Sequence, residues 1–127
     1  MNVVDSPGWI EYFNGGSNTR FFSRTIENVA ELEVPTITLL EVYRHLLRHQ
    51  GPDDALRAVA GMQQGHVVDL DRALALQAAE IGVEHKLPLA DSIIMATARA
   101  HEAVLWTQDS DFEGLDGVRF RAKPDDH

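Results

Sequence analysis

Short runs of β-branched residues alternate with helix-patterned segments along the whole chain, and that alternation restricts the fold more than any other feature. Runs that read as strands fall at residues 2–4 (Asn-Val-Val), 34–37, 66–70, 103–106 and 118–120. The segments between them carry helical signals. Ser6-Pro7 reads as an N-cap followed by proline at the first helical position, and the helix through Trp9, Ile10 and Phe13 stops at Gly15-Gly16. Asn18 to Val29 has apolar positions at Phe21, Phe22, Ile26 and Val29. Thr38 opens a helix to about His49, Pro52-Asp53 another to about Gln64, and Asp71 caps a leucine- and alanine-rich helix ending near Lys86. Pro88 then breaks the chain before an alanine-rich helix from Leu89 to His101. A βα alternation of this kind implies an α/β fold: a three-layer α/β/α sandwich around a mainly parallel five-stranded central sheet, with right-handed crossovers. Residues 1–127 are expected to form a single domain, with a polar, frayed tail at about 123–127.

Charge and composition remove several classes of function. Twenty acids against eleven bases leave a formal charge of −9, a field that discourages nonspecific contact with nucleic acid or anionic membrane. A nucleic-acid substrate then requires a local basic rim or bound divalent cations. The absence of cysteine excludes disulfides and thiolate metal sites. No apolar run approaches a membrane span, and the first five residues lack a secretory pattern, so a cytoplasmic protein is expected.

In folds of this class the useful crevice lies beyond the carboxyl ends of the strands, where strand order reverses. Four acids are expected there: Asp5 after the first strand, Glu41 and Asp91 in the first turns of their helices, and Asp109 after the fourth strand, with Asp111 two residues on. Each has an ordinary explanation. Asp5 sits at a helix entry, Thr38-Leu39-Leu40-Glu41 fits a capping box, Asp91 favours the positive end of its helix, and Asp109 and Asp111 suit a polar turn. Taken together, these explanations must place acids from four distant segments at one end of one sheet. No lysine or arginine lies within two residues of Asp5, Glu41 or Asp109. Unneutralised, such a group would repel itself by on the order of several kcal/mol. An oxygen-rich, cysteine-free cluster is what Mg2+ or Mn2+ prefers, so the acids read as a metal site.

The stretches VVDSPGWIEYF, PTITLLEVYR and LPLADSIIMATARAHEAVLWTQDSDF, with the closing short strand, resemble the PIN domain and within it the VapC toxins of bacterial and archaeal toxin–antitoxin pairs. The resemblance spans essentially the whole chain and rests on the order and spacing of motifs that are individually weak. It implies a metal-dependent endoribonuclease with an acidic quartet at Asp5, Glu41, Asp91 and Asp109, Asp111 being a variable fifth member. It also implies polar roles for Ser6 and for Thr107 in the T-x-D element; Pro7 stands where relatives more often carry a small polar residue. Asp5, Asp91 and Asp109 would hold the metal, and Glu41 would complete the shell or orient the attacking water. The partners implied are an RNA substrate, a VapB-like antitoxin and a second copy of the chain, giving a homodimer and, with antitoxin, a heterotetramer or larger complex.

Arg44 and Arg48 share the polar side of a helix with Glu41 and His45, opposite Leu39, Tyr43, Leu46 and Leu47, and are candidates for contact with RNA phosphates, a solvated face being the alternative. His45 and His49 stand four apart, but Leu46 occupies the place of the zinc-protease glutamate, which rejects zinc hydrolysis. The aromatic group Trp9, Tyr12, Phe13, Phe21 and Phe22 is expected to be mostly core, with an excess that suits a partner surface. The rival readings are a catalytically silent PIN-like interaction module, a haloacid-dehalogenase-like phosphatase and a receiver-like Mg-binding signalling domain. The phosphatase needs a second acid where Pro7 stands. The receiver needs paired acids after the first strand and a lysine near the last, and neither is present.

Overall fold

The computed structural model describes residues 1–124, so 125–127 of the expected tail lie outside the described residues. Five strands and six α-helices follow one another as β1 (Asn2–Val4), α1 (Ser6–Asn14), α2 (Thr19–Glu27), β2 (Glu33–Pro35), α3 (Thr36–His49), α4 (Pro52–Met62), β3 (His66–Val68), α5 (Arg72–His85), α6 (Leu89–Ala100), β4 (Val104–Thr107) and β5 (Val118–Phe120). Short 3-10 turns at Val29–Glu31 and Ser110–Phe112 complete the path. No helix among the described residues is long and apolar enough to cross a membrane.

All strand pairings are parallel. Val3 faces Leu105 and Val4 faces Trp106 across β1 and β4, and β5 lies on the far side of β4. Both valines are fully enclosed and point to opposite layers. Val4 packs with Trp9, Phe22, Val34, Val42 and Leu46 from α1, α2, β2 and α3, whereas Val3 packs with Ile94, Met95, Leu105 and Phe112. A strand covered on both faces has no reason to alternate with polar residues, so Val-Val reads as a short apolar run. Burying each valine stabilises the fold by about 1.5–3 kcal/mol.

The expected continuous five-stranded sheet is instead two ladders, β1-β4-β5 and β2-β3. A single parallel bridge between Asn2 and Leu32 joins them, giving a spatial order β3-β2-β1-β4-β5. The strands involved are only three residues long, and Pro35 ends β2 without an N–H to offer a neighbour. The link lies at the N-terminal ends of β1 and β2, and farther along the two strands Val4 and Val34 meet through their side chains.

Two helix starts differ from expectation. Asp5, not Ser6, caps α1: its backbone is extended and its Oδ1 accepts the Gly8 N–H at 2.8 Å, with Pro7 at the second helical position. Pro35, not Thr38, precedes α3, and the Thr38 hydroxyl donates to the Pro35 carbonyl at 2.6 Å from within the first turn. Thr38 and Glu41 are therefore not a capping box; Glu41 stands in the second turn. Asp71 caps α5 as expected, accepting the Leu74 N–H at 2.8 Å. Toward the C-terminus, Lys123 lies 3.6 Å from the buried Glu11 carboxylate, and the Asn18 amide donates to the Ala122 carbonyl at 3.3 Å.

Trp9 and Phe22 are enclosed, and Tyr12, Phe13 and Phe21 pack against them, so the aromatic group is core. The two most exposed large apolar side chains lie elsewhere, on α5 and at the start of α6, where Val83 and Leu89 are each 83% exposed.

Candidate metal centre

Strand order reverses between β1 and β4, and the residues leaving the C-terminal ends of these two strands meet there. Asp5 is 0% exposed. Its two oxygens are both engaged: Oδ1 takes the Gly8 N–H that caps α1, and Oδ2 takes the hydroxyl of Thr107, the last residue of β4. The Thr107 hydroxyl oxygen accepts the Asp109 N–H at 2.9 Å, and Asp109 Oδ1 accepts the Asp111 N–H at 2.9 Å. Backbone and side chains therefore run as one chain of hydrogen bonds from α1 across to the 3-10 turn after β4.

Asp91, in the first turn of α6, completes the arrangement from the other layer. One carboxylate oxygen from each of Asp91, Asp109 and Asp111 lies within 4.8 Å of the others. Glu41 approaches from α3, held by the Ser6 hydroxyl, which donates to its Oε1 at 2.6 Å. That bond spans the gap left by the absent β1–β2 ladder.

Burial pushes the Asp5 carboxyl up to about 7; the hydrogen bonds from Thr107 and Gly8 oppose this, and the charges of Asp109 and Glu41 add to it. Asp91 is likewise raised to about 7, chiefly by burial and then by the charges of Asp109, Asp111 and Asp5, together with its hydrogen bond to Asp111. The electrostatic neighbours thus link Glu41, Asp5, Asp109, Asp91 and Asp111 into one group. Asp5 and Glu41 stand beside the tight Asp91–Asp109–Asp111 trio rather than inside it. No lysine or arginine among the described residues forms an ion pair with any of the five. The donors present are all hard oxygens, two of them on carboxyls raised to about 7 by burial and like charges. This set fits Mg2+ or Mn2+.

From Glu41 a surface groove of about 270 Å3 continues along α3, lined by Ile37, Leu40, Arg44, His45, Arg48 and His49. Arg44 and Arg48 are exposed and unpaired among the described residues. The His45 and His49 rings stand 4.4 Å apart, and burial, with His49 and Arg48 adjacent, holds His45 below the usual imidazole range.

Two supporting residues escape a reading of the sequence. A Cβ on Gly8 would stand 2.7 Å from the Phe22 ring, 2.8 Å from Val4 Cγ1 and 2.9 Å from Asp5 Oδ1, so only glycine lets α1 begin this close to the acid. Asn18, also buried, donates to the Gln108 side chain at 3.1 Å and so braces the loop carrying Asp109. The Gly8 signal was present, as a glycine in a first helical turn; Asn18 sits in an unremarkable G-G-S-N turn.

The PIN-domain family profile matches residues 3–118. No curated protein sequence matches the chain. Among solved structures, a chain of a toxin–antitoxin complex from Klebsiella pneumoniae is 25% identical, with a TM-score of 0.79 over 94% of this chain and 96% of that one. VapC20 from Mycobacterium tuberculosis, described as a toxin that cleaves the sarcin–ricin loop, is 21% identical, with a TM-score of 0.77 over 91% and 95%. DNA-bound VapBC from Salmonella typhimurium contributes a chain 22% identical, with a TM-score of 0.75 over 98% and 100%. The last two likenesses concern the fold.

Proposed function

This chain belongs to the PIN-domain family, and from that membership we propose that it is the toxin of a VapBC-type toxin–antitoxin pair, an endoribonuclease that hydrolyses RNA phosphodiester bonds with Mg2+ or Mn2+. The observation that carries the reading is a buried carboxyl, Asp5, held by Gly8 and Thr107 beside four other acids, with no basic side chain among the described residues paired to any of them. Asp5, Asp91 and Asp109 hold the metal, Asp111 offers a further oxygen, and Glu41 orients the attacking water. When bound, the ion lowers the pKa of a water and stabilises charge on the phosphoryl oxygens. Thr107 fixes the rotamer of Asp5 and the backbone of Asp109 at once, and Ser6 fixes Glu41, so the oxygens are held in position before an ion arrives. Arg44 and Arg48 contact phosphates along the groove that leads from Glu41, a basic rim on an otherwise acidic protein.

In the proposed setting the chain is a cytoplasmic protein that forms homodimers and larger assemblies with an antitoxin; the Klebsiella pneumoniae neighbour is a chain of a toxin–antitoxin complex and the Salmonella typhimurium one a chain of DNA-bound VapBC. The apolar face of α5 and α6, a groove of about 630 Å3 lined by Leu70, Val83, Leu87, Leu89 and Ile93, is suited to protein contact. Incubation with a panel of single-stranded RNAs, with and without chelator, tests the reading. Cleavage should need the divalent ion and should vanish in Asp5→Ala and Asp91→Ala while circular dichroism stays unchanged. Equal cleavage by wild type and either variant refutes it.

A further inference from the structure

At the opposite end of the sheet, three residues from three elements surround a carboxylate oxygen that has no hydrogen bond. Glu33 opens β2 and is 4% exposed, and its Oε2 is enclosed without a partner. His66, its register partner at the start of β3, places Nε2 3.8 Å from that oxygen. His101, the residue just after α6, places Nδ1 3.7 Å from it. These separations exceed hydrogen-bond range, roughly 2.7–3.2 Å for N–H···O. They are close to the distance between two donors bound to one ion, since ligands about 2.1 Å from a tetrahedral zinc stand about 3.4 Å apart.

We propose that Glu33, His66 and His101 bind a transition-metal ion of the zinc class, at the pole of the sheet remote from the acids. One carboxylate oxygen with two imidazole nitrogens is the donor set such an ion favours, in contrast to the all-oxygen set at the other pole. A buried acceptor without a donor is destabilising, and here an ion takes the place of the missing donor. The three donor atoms do not close on one centre as they stand, and binding requires the His66 ring to turn toward His101. His66 is 68% exposed and free to make that rotation, and the fourth position opens to water on its side. Bound there, the ion ties β2, β3 and α6 together where a single bridge joins the two ladders. The two segments thereby clamped lead to Glu41, on the helix after β2, and to Asp91, at the other end of α6. This site stands whether or not the acids hold a metal of their own.

The test uses the untagged full-length chain in excess Mg2+, which fills the oxygen-only site, with Co2+ added as a spectroscopic probe and Zn2+ as competitor. The expected result is one Co2+ per chain, with the visible absorption of a nitrogen-ligated, low-coordinate ion, displaced by Zn2+. His66→Ala and His101→Ala should each weaken binding by more than the roughly 10–100-fold that loss of a supporting residue costs. His66→Ala removes only an exposed ring, so its circular dichroism serves as the folding control. His49→Ala and Asp91→Asn should leave Co2+ uptake unchanged. No uptake in excess Mg2+ overturns the proposal, as does uptake that survives loss of either ligand histidine or disappears in His49→Ala.

Discussion

Replacing Asp5 by asparagine separates the two things this side chain does, because the amide keeps the cap and removes the charge. Asp5 lies in the folded chain with its carboxyl at about 7 against an ordinary value of 3.8. The folded state therefore holds a proton that the unfolded state releases, between those two values. Stability is fully present below about pH 4, falls as pH rises, and levels off above about 7. A gap of about 3 units at about 1.4 kcal/mol per unit is about 4 kcal/mol of destabilisation at pH 8. The asparagine side chain never ionises and escapes this, but its amide nitrogen cannot accept the Thr107 hydroxyl, a loss of about 1 kcal/mol. Asp5→Asn should thus be about 3 kcal/mol more stable than wild type at pH 8, or about 10 °C in melting temperature for a chain of this size. At pH 4 it should melt a few degrees lower, the carboxyl there being neutral and a better partner for Thr107. Thermal unfolding followed by circular dichroism, with chelator present, reads both. A melting difference of the same size and sign at the two pH values refutes the argument, as does an Asp5→Asn variant less stable than wild type at pH 8. Excess Mg2+ should narrow the gap at pH 8, since wild type gains an ion that the variant binds poorly.

Thr107→Val removes the donor that draws the Asp5 carboxyl downward and the acceptor of the Asp109 N–H. Divalent-ion affinity should fall about 10–100-fold, and the acid limb of the pH–rate profile should move to higher pH; an unmoved limb excludes Thr107 from this role. Gly8→Ala forces a methyl against Phe22, Val4 and Asp5, which should destabilise the chain by about 1–3 kcal/mol and depress Mg2+ binding measured by calorimetry. A fully stable, fully binding alanine variant would show that α1 does not fix the acid. Arg44→Ala and Arg48→Ala should each weaken RNA binding at all sequences alike and reduce the slope of log K against log salt by roughly 0.7–1. Unchanged slopes would leave the two arginines as solvated surface.

The order of elements was legible because it follows from local pattern: apolar runs too short for helices, prolines at helix starts, and Asp71 before a leucine–alanine repeat. Helix starts were less so. At α1 the choice lay between Ser6 and Asp5, both good caps, and was decided by a buried Gly8 N–H that only the packing reveals. At α3 the helix begins at Thr36, directly after Pro35, because the proline dihedral already suits an N-cap and Thr38 then finds the Pro35 carbonyl. The break between the two ladders left no local trace, since nothing in Asn2 to Val4 states how many bridges it makes with β2. The convergence of Asp5, Glu41, Asp91 and Asp109 followed from their places after strands and in early helical turns. Asp111 stayed undecided in the sequence, and its closeness to Asp91 explains why: that approach depends on the turn after β4, not on spacing. The aromatic group was expected to be mostly core, and Trp9 and Phe22 are enclosed with the other three rings packed against that core. Composition counts rings but does not say which face they meet.

The choice of residue type at two buried positions carries the argument about cations further than proximity does. Asparagine caps a helix as well as aspartate does, and leaves no charge to bury. An aspartate at a fully enclosed N-cap is thus a destabilising choice for the cap alone, and it sits where other acids raise its protonation further. Glutamate at Glu33 leaves a buried oxygen without a donor at the other pole, where glutamine could donate to a neighbour and leucine would need none. A positive ion bound at either position would offset that cost. The surroundings then sort the ions. Around Asp5 every available donor is an oxygen, whereas around Glu33 the nearest donors are imidazole nitrogens. A hard ion should seek the first and a borderline one the second. Adding Mg2+ and Zn2+ separately should therefore raise the melting temperature additively, because the two sites share no ligand. If one ion abolishes the effect of the other, the two acids compete for a single cation and the separation by donor type is wrong.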